Sequence, residues 1–412
     1  MPVSPTYPGV YIQEVSSGVR TVAGVATSIA AFVGRTRRGP VNQPVTCFNF
    51  GEFTRRFGGL WLDSSVSYAV DDFFANGGGQ CEIVRLYEPD GNDAGVATAQ
   101  FTGFALEASS PGSWGDQLTA TATVPDPNEP GTIAAAAKYG LGPSEIIDLT
   151  IVDAGSGAAE TFRTLTAKAD SERRIDRVLG DGSSLVRCPA VPANIPLQLE
   201  TVPFTGGGDG LALVDDSYLV SEDLKTGLYA LKKADIFNLL CVPPDIRGGD
   251  LSPDVREAAL RLCKSERALF IVDPPADWDD NPSDAANKAK TEQIANPLLP
   301  LADADYAALF FPNLIKRDRM RGGQLDVFPP CGAVAGVMAR TDVNRGVWKA
   351  PAGLAATLSN IDGLTVKLTD EENGLLNPIA INCLRTFPNI GRVVWGARTM
   401  KGSDQLSDDY KY

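Results

Sequence analysis

The chain has 412 residues, 37 Lys and Arg against 51 Asp and Glu, a formal charge of -14, and no histidine. The missing imidazole excludes Ser-His-Asp and Cys-His nucleophile pairs and every His-ligated metal centre. The acid excess argues against non-specific binding to a phosphate backbone.

Cysteine usage fits a reducing compartment. There are 7 cysteines, an odd number, with no CxxC pair among them. Most sit in apolar company, as Cys241 does after Leu239 and Leu240, so the ordinary reading is a small buried hydrophobe.

In chain order, Met1 to Pro5 lacks the basic start of a targeting segment. Val10, Tyr11, Ile12 and Val15 then form a strand-prone stretch, with Ser16, Ser17 and Gly18 after it. It has no hairpin partner before it, so the strand either pairs inside its own sheet or is donated to another chain. The uncharged run 21–34 is too short for a membrane span, which needs about 20 residues. It predicts a core strand or helix.

Charge then marks a middle segment. Residues 89–205 carry 7 basic and 15 acidic residues, a net of -8 and more than half of the total excess. Turn-rich stretches bracket it, from Pro89-Asp90-Gly91 to Gly206-Gly207-Gly208. Strands are predicted at 118–124, 146–152 and 161–165, a helix at 171–179, and a loop at 125–131. A small, β-rich, acidic domain inserted into a larger one is the simplest account.

The flanking chain alternates strand and helix. A buried strand is predicted at 235–242, stopped by Pro243-Pro244. Ser252 caps a helix that has Pro253 at its first position and Val255, Ala258, Ala259 and Leu262 on one face. Strands follow at 268–272 and 306–311, and a hairpin at 379–387 and 391–399. This pattern predicts an α/β layer.

Enzyme signatures fail in turn. There is no GK[ST] and no GxSxG, and the glycines 206, 207, 208 and 210 miss GxGxxG because Leu211 stands where the last must be. Asp277, Asp279, Asp280 and Asp284 resemble the start of a calcium loop, but Pro282 and Lys288 occupy positions that need glycine and glutamate. No catalytic, cofactor-binding or metal-ligating residue is therefore assigned, and no cofactor is expected. Two basic clusters, Arg35/Arg37/Arg38 and Lys316/Arg317/Arg319/Arg321, read either as solvated faces or as contacts for an acidic partner.

Several segments together resemble contractile tail sheath proteins of bacteriophages and phage-tail-like injection systems. They are residues 7–15 and 27–34, Phe73-Phe74-Ala75-Asn76-Gly77-Gly78-Gly79, and residues 110–118 around Trp114. Further along come residues 332–342, residues 346–352 around Trp348, Leu376-Asn377-Pro378, and residues 394–399 around Trp395. The resemblance runs from residue 7 to residue 399. Family members usually continue into a C-terminal domain, and the sequence ends about where that domain would begin, as expected of either a fragment or a shortened member.

The resemblance implies an α/β (α+β) core sheath domain with an inserted small β-rich domain and an extended N-terminal arm. The arm would occupy 1–25, the core 26–88 and 206–412, and the inserted outer domain 89–205. It implies a non-enzymatic structural subunit of a homo-oligomer, stacked rings or a helical sheath around an inner tube, with baseplate and terminator proteins as further partners. The sheath would contract from a metastable extended state and drive the tube through a target envelope. No nucleic acid and no direct membrane insertion are implied. Assembly would be cytoplasmic, and the finished particle a virion tail or an extracellular injection device. Val10, Tyr11, Ile12 and Val15 would be the inter-subunit arm strand, with Ser16, Ser17 and Gly18 as its hinge. Arg385, Arg392 and Arg398 would hold inter-subunit or internal ion pairs, while Trp348 and Trp395 are expected as core anchors. The competing expectation is an α/β carboxylate-dependent enzyme or a carbohydrate-binding module.

Overall fold

The computed structural model describes residues 28–91 and 94–401. The arm strand Val10, Tyr11, Ile12 and Val15, the hinge Ser16, Ser17 and Gly18, and residues 402–412 lie outside the described residues.

The uncharged run ends in β1 (Ala30–Arg35), buried at every position. Next come β2 (Val45–Cys47), α1 (Phe50–Phe57), α2 (Val66–Ala75) and β3 (Cys81–Leu86). Asn49 caps α1, its side chain accepting from Glu52 N at 2.8 Å.

The acidic middle segment contributes β4 (Thr98–Phe101), β5 (Phe104–Ala108) and β6 (Leu118–Thr123). It continues with α3 (Pro130–Lys138), β7 (Ile147–Asp153), β8 (Ala159–Leu165), α4 (Ile175–Gly182), β9 (Val186–Arg187) and β10 (Glu200–Pro203). The three strands expected here are β6, β7 and β8, and β6 buries Leu118, Ala120 and Ala122 on one face by simple alternation. Two expectations need correction. Pro130 and Gly131 open helix α3 instead of closing a loop, because proline is tolerated in a first turn. The helix expected at 171–179 starts later, since the Ser171 hydroxyl accepts from Arg173 N at 3.1 Å and makes a turn there.

The remaining chain supplies α5 (Asp215–Tyr218), β11 (Leu239–Cys241), α6 (Pro253–Glu266), β12 (Leu269–Val272) and α7 (Ala285–Ala295). After these come β13 (Ala307–Phe311), β14 (Leu314–Asp318), β15 (Gln324–Phe328) and α8 (Cys331–Arg345). Last are β16 (Gly363–Leu364), α9 (Asp370–Leu376), β17 (Ile381–Phe387) and β18 (Gly391–Val394). Ser252 caps α6 as its sequence predicts, accepting from Val255 N at 3.2 Å. β11 is shorter than expected because a 3-10 turn at Gly227–Lys233 delivers the chain to the sheet only at Asn238. β18 likewise leaves its ladder early: Arg398 N bonds to the Asn382 side chain, not to a strand partner.

An 8-stranded sheet in the order β18-β17-β13-β12-β11-β1-β3-β2 is the centre of the molecule. Its interior pairs are parallel, and only β2 and β18 run antiparallel to their neighbours. Parallel strands need cover on both faces, and β1 shows how it is provided. Ala31 and Val33 join a core with the α6 residues Val255, Ala258, Ala259 and Leu262. Ala30 and Phe32 join another with α1, α2 and α8. The middle segment has its own core around Trp114, Ile147, Leu149 and Phe204, between the sheets β10-β6-β7-β8 and β4-β5-β9.

Candidate assembly surfaces and the junctions behind them

Two bodies of structure meet where residues 110–118 cross the end of the main sheet. Arg85, buried on β3, donates to the carbonyls of Thr36 at 3.0 Å, Gly39 at 2.8 Å and Pro111 at 2.9 Å. Burial pulls its pKa down to about 10, yet it stays cationic near neutral pH. Arg38 reaches across to Asp153 Oδ2 at 3.1 Å and lies 5.6 Å from the Trp114 ring centre. Ser110 Oγ accepts from Gly39 N at 3.0 Å, and Asp116 accepts from Gly207 N at 2.8 Å. The stretch that carried a family resemblance in sequence thus lies at the contact between two cores. Gly112 has φ of 136°, and a Cβ there would lie 2.6 Å from the Arg37 carbonyl oxygen, so only glycine fits.

A second junction lies behind α8. Gly332 and Gly336 face α2, and a Cβ would come within 2.1 Å of Ala69 O at the first and 2.5 Å of Phe73 O at the second. The glycines let the two helices touch backbone to backbone. Beyond them, Lys316 Nζ sits 2.5 Å from Asp72 Oδ1 with both side chains buried. Burial pushes the Asp72 carboxyl up to about 6 despite the opposing lysine. Arg247 binds Asp318 at 2.7 Å and Asp326 at 2.5 Å, and its guanidinium lies 4.4 Å from the Phe328 ring centre. Tyr68 donates to Asp318 at 2.8 Å.

The basic clusters are therefore not simple solvated faces. Arg35 and Lys316 are buried, paired with Asp245 and Asp72, and Arg38 serves the first junction. Arg317 and Arg321 are exposed but pair with Asp362 at 3.5 Å and Asp326 at 2.9 Å, and Arg319 pairs with Asp71. Except for Asp326, five residues from Arg321, these acidic partners stand 45 to 248 positions away in sequence, so no local pattern marks them.

On the closing hairpin, Arg385 donates to Asp370 Oδ1 at 2.5 Å and lies 5.0 Å from the Phe387 ring centre. Arg392 donates to the Asp362 carbonyl. Arg398 donates to the Asn377 carbonyl at 2.8 Å, and its own carbonyl accepts from Asn382 at 2.7 Å. Trp395 is half-buried, 4.6 Å from Phe387. Trp348 is a correction: it is 85% exposed, because α8 has ended at Arg345 and a turn carries the ring away from the core.

The carboxylates at 277–280 line a cleft of about 480 Å³ with Asp250, Asp273, Asn313 and Thr365. Their oxygens are largely used by the chain itself. Asp279 Oδ2 accepts from Asn313 Nδ2 at 2.8 Å and from Thr365 Oγ1 at 2.5 Å, and Asp277 pairs with Lys288 at 2.7 Å. Asp273 Oδ1 accepts from Cys331 N at 2.8 Å, and burial pushes its pKa up to about 7. Among the described residues no group of three His, Cys, Asp or Glu side chains could hold a metal ion. No helix among them is long and apolar enough to cross a membrane.

Residues 219–400 match the family model of the phage tail sheath protein central domain. No curated protein matches the sequence. In fold, the chain is similar to a sheath tail protein from Listeria innocua (TM-score 0.62, 12% identity, covering 94% of this chain and 72% of that one). It is also similar to a sheath tail protein from Desulfitobacterium hafniense (TM-score 0.54, 10% identity, 98% and 78% covered). A looser likeness is to the helical sheath of the anti-feeding prophage in its contracted state (TM-score 0.46, 19% identity, 100% and 71% covered). Nothing in these likenesses supports a carboxylate enzyme or a carbohydrate-binding module. Residues 219–400 match the phage tail sheath central domain, and the chain has the fold of the two sheath tail proteins from Listeria innocua and Desulfitobacterium hafniense.

Proposed function

We propose that this chain is a structural, non-catalytic subunit of a contractile sheath. Its copies polymerise as stacked rings or a helix around an inner tube and shorten from a metastable extended state to drive that tube through a target envelope. The observation that carries the reading is the central domain at 219–400, folded as the larger part of the parallel sheet and its covering helices. Head-to-tail contacts between identical subunits that do not close give such a tube. A gain of about a few kcal/mol per subunit, the size of ordinary interface terms, is multiplied over many copies, so no nucleotide is required.

In this reading, Val10, Tyr11, Ile12 and Val15 add a strand to a neighbour's sheet, and Ser16, Ser17 and Gly18 let that neighbour rotate. Residues 89–205 face outward, where water screens their acid excess between crowded copies. Arg385, Arg392 and Arg398 brace the closing hairpin, and Asp370, whose side chain is 89% exposed beside Arg385, leaves that pair open to a neighbouring subunit. Inner-tube, baseplate and terminator proteins are the partners, assembly is cytoplasmic, and the finished particle acts outside the cell that made it. No nucleic acid, membrane insertion or cofactor takes part.

Deleting residues 1–18 tests the arm. The expected product is a folded monomer that fails to form tubes under conditions where the whole chain forms them. Tubes of normal length from the deleted chain would overturn the arm's role.

A further inference from the structure

Helix α8 runs from one edge of the main sheet to the other. It starts at Cys331, whose N–H donates to Asp273, the residue after β12. Its last turns meet the amino edge, where Ser28, just before β1, donates to Asp342 Oδ2 at 2.7 Å. The strands β1, β11 and β12 are parallel, so the ends of α8 mark opposite poles. For 15 residues they lie roughly 22 Å apart.

The poles differ in charge. At the carboxyl edge, the cleft of about 480 Å³ is lined by Asp250, Asp273, Asp277, Asp279 and Asp280, and by no lysine or arginine. Lys288 reaches Asp277 from outside that lining. Asp273 Oδ2 and Asp279 Oδ1 are buried in its wall with no hydrogen-bond partner among the described residues. Ile246 and Val327, both exposed, give the cleft an apolar part. At the amino edge, Val343, Val347 and Trp348 are 80%, 59% and 85% exposed. Beside them is a hollow lined by Arg340, Arg345 and Lys349 and by no carboxylate. Lys349 N donates to Gly346 O at 3.0 Å and closes the turn that holds Trp348 outside the core. Leaving each valine in water forgoes roughly 1.5 kcal/mol of burial.

We propose that these poles are the two halves of one contact, the Trp348 ledge of one copy docking at the acidic cleft of the next. Arg345 and Lys349 bring positive charge to Asp277 and Asp280, and Trp348 and the valines cover Ile246 and Val327. Patches at opposite poles cannot both be satisfied within one pair, so each contact leaves a cleft and a ledge for further copies. The copies therefore stack along the strand direction as an open row. This rests on the reading of the chain as a polymerising sheath subunit, and adds the faces that meet.

Charge reversal in the full-length chain tests the contact, by sedimentation over a concentration series. Asp277→Lys/Asp280→Lys and Arg345→Glu/Lys349→Glu should each weaken self-association by about tenfold or more, the scale of close interfacial charge pairs. Mixed in equal amounts, the two variants should associate as tightly as the parent, because cleft and ledge then carry opposite charge at every mixed contact. That recovery also excludes misfolding as the cause of the loss. Parental association by either variant alone, a loss that mixing does not recover, or a parent that stays monomeric throughout would each overturn the proposal. Recovery on mixing without tubes in the electron microscope would keep the contact and refute the sheath reading.

Discussion

Leu211 N donates to Glu88 O at 2.9 Å, so the two ends of the acidic segment leave the main fold side by side. Ser217 Oγ reinforces the pair by donating to Glu88 Oε2 at 2.6 Å. A segment whose ends touch can be cut out and closed over a few residues with little loop entropy.

Joining Glu88 to Leu211 through a short glycine-serine linker should leave a chain that still unfolds in one cooperative step. Arg85 and Arg38 lose Pro111 and Asp153 as partners, so stability should fall by about 2–4 kcal/mol. Urea melts followed by tryptophan fluorescence and far-UV circular dichroism read this directly. Non-coincident or absent transitions would show that residues 89–210 are integral to the fold.

Gly332 carries the contact between α2 and α8. Gly332→Ala places a methyl group 2.1 Å from the Ala69 carbonyl, a backbone atom that cannot turn aside. Overpacking of this kind costs about 1–3 kcal/mol, and the upper half of that range is expected. Gly374→Ala in α9, where a Cβ would meet nothing within 4 Å, is the control. It should be neutral or stabilising by up to about 1 kcal/mol. Equal effects at the two positions would contradict the close-packing account.

Asp273 and Asp72 make stability depend on pH in an unusual direction. Burial raises their carboxyl pKa values to about 7 and about 6, above the unfolded value near 3.8. The folded state therefore holds these protons more tightly, and the stability they contribute is complete below about pH 4. It is lost as pH rises through 6 and 7. Asp273→Asn keeps an oxygen to accept from Cys331 N but cannot ionise. Its urea midpoint should match the parent at pH 4 and exceed it at pH 8, by an amount of order 2–4 kcal/mol. A midpoint lower than the parent at pH 8 would mean that the ionised carboxylate is itself stabilising.

Local chemistry made much of the fold legible. Ser252 and Pro253 fixed the start of α6, alternation fixed β6, and proline stops marked the ends of β11, β12 and β13. What failed was set by tertiary context. Trp348 was expected inside because it is large and apolar, yet the turn after Arg345 carries it into solvent. Lys316 was expected on a surface because basic residues follow it, yet Asp72 lies beside it across 244 positions of sequence. The motif around Trp114 could be recognised but not explained from sequence, because its function as a junction depends on Arg85 and Arg38 arriving from another strand and loop.

The central claim is that this chain builds a contractile sheath. Negative-stain electron microscopy of the native particles, labelled with antibody raised against residues 94–205, tests it most directly. The account predicts label repeating regularly along striated extended tubes, and along shorter, wider, hollow cylinders after contraction. Tubes that carry no label, or label confined to material that is not tubular, would contradict it.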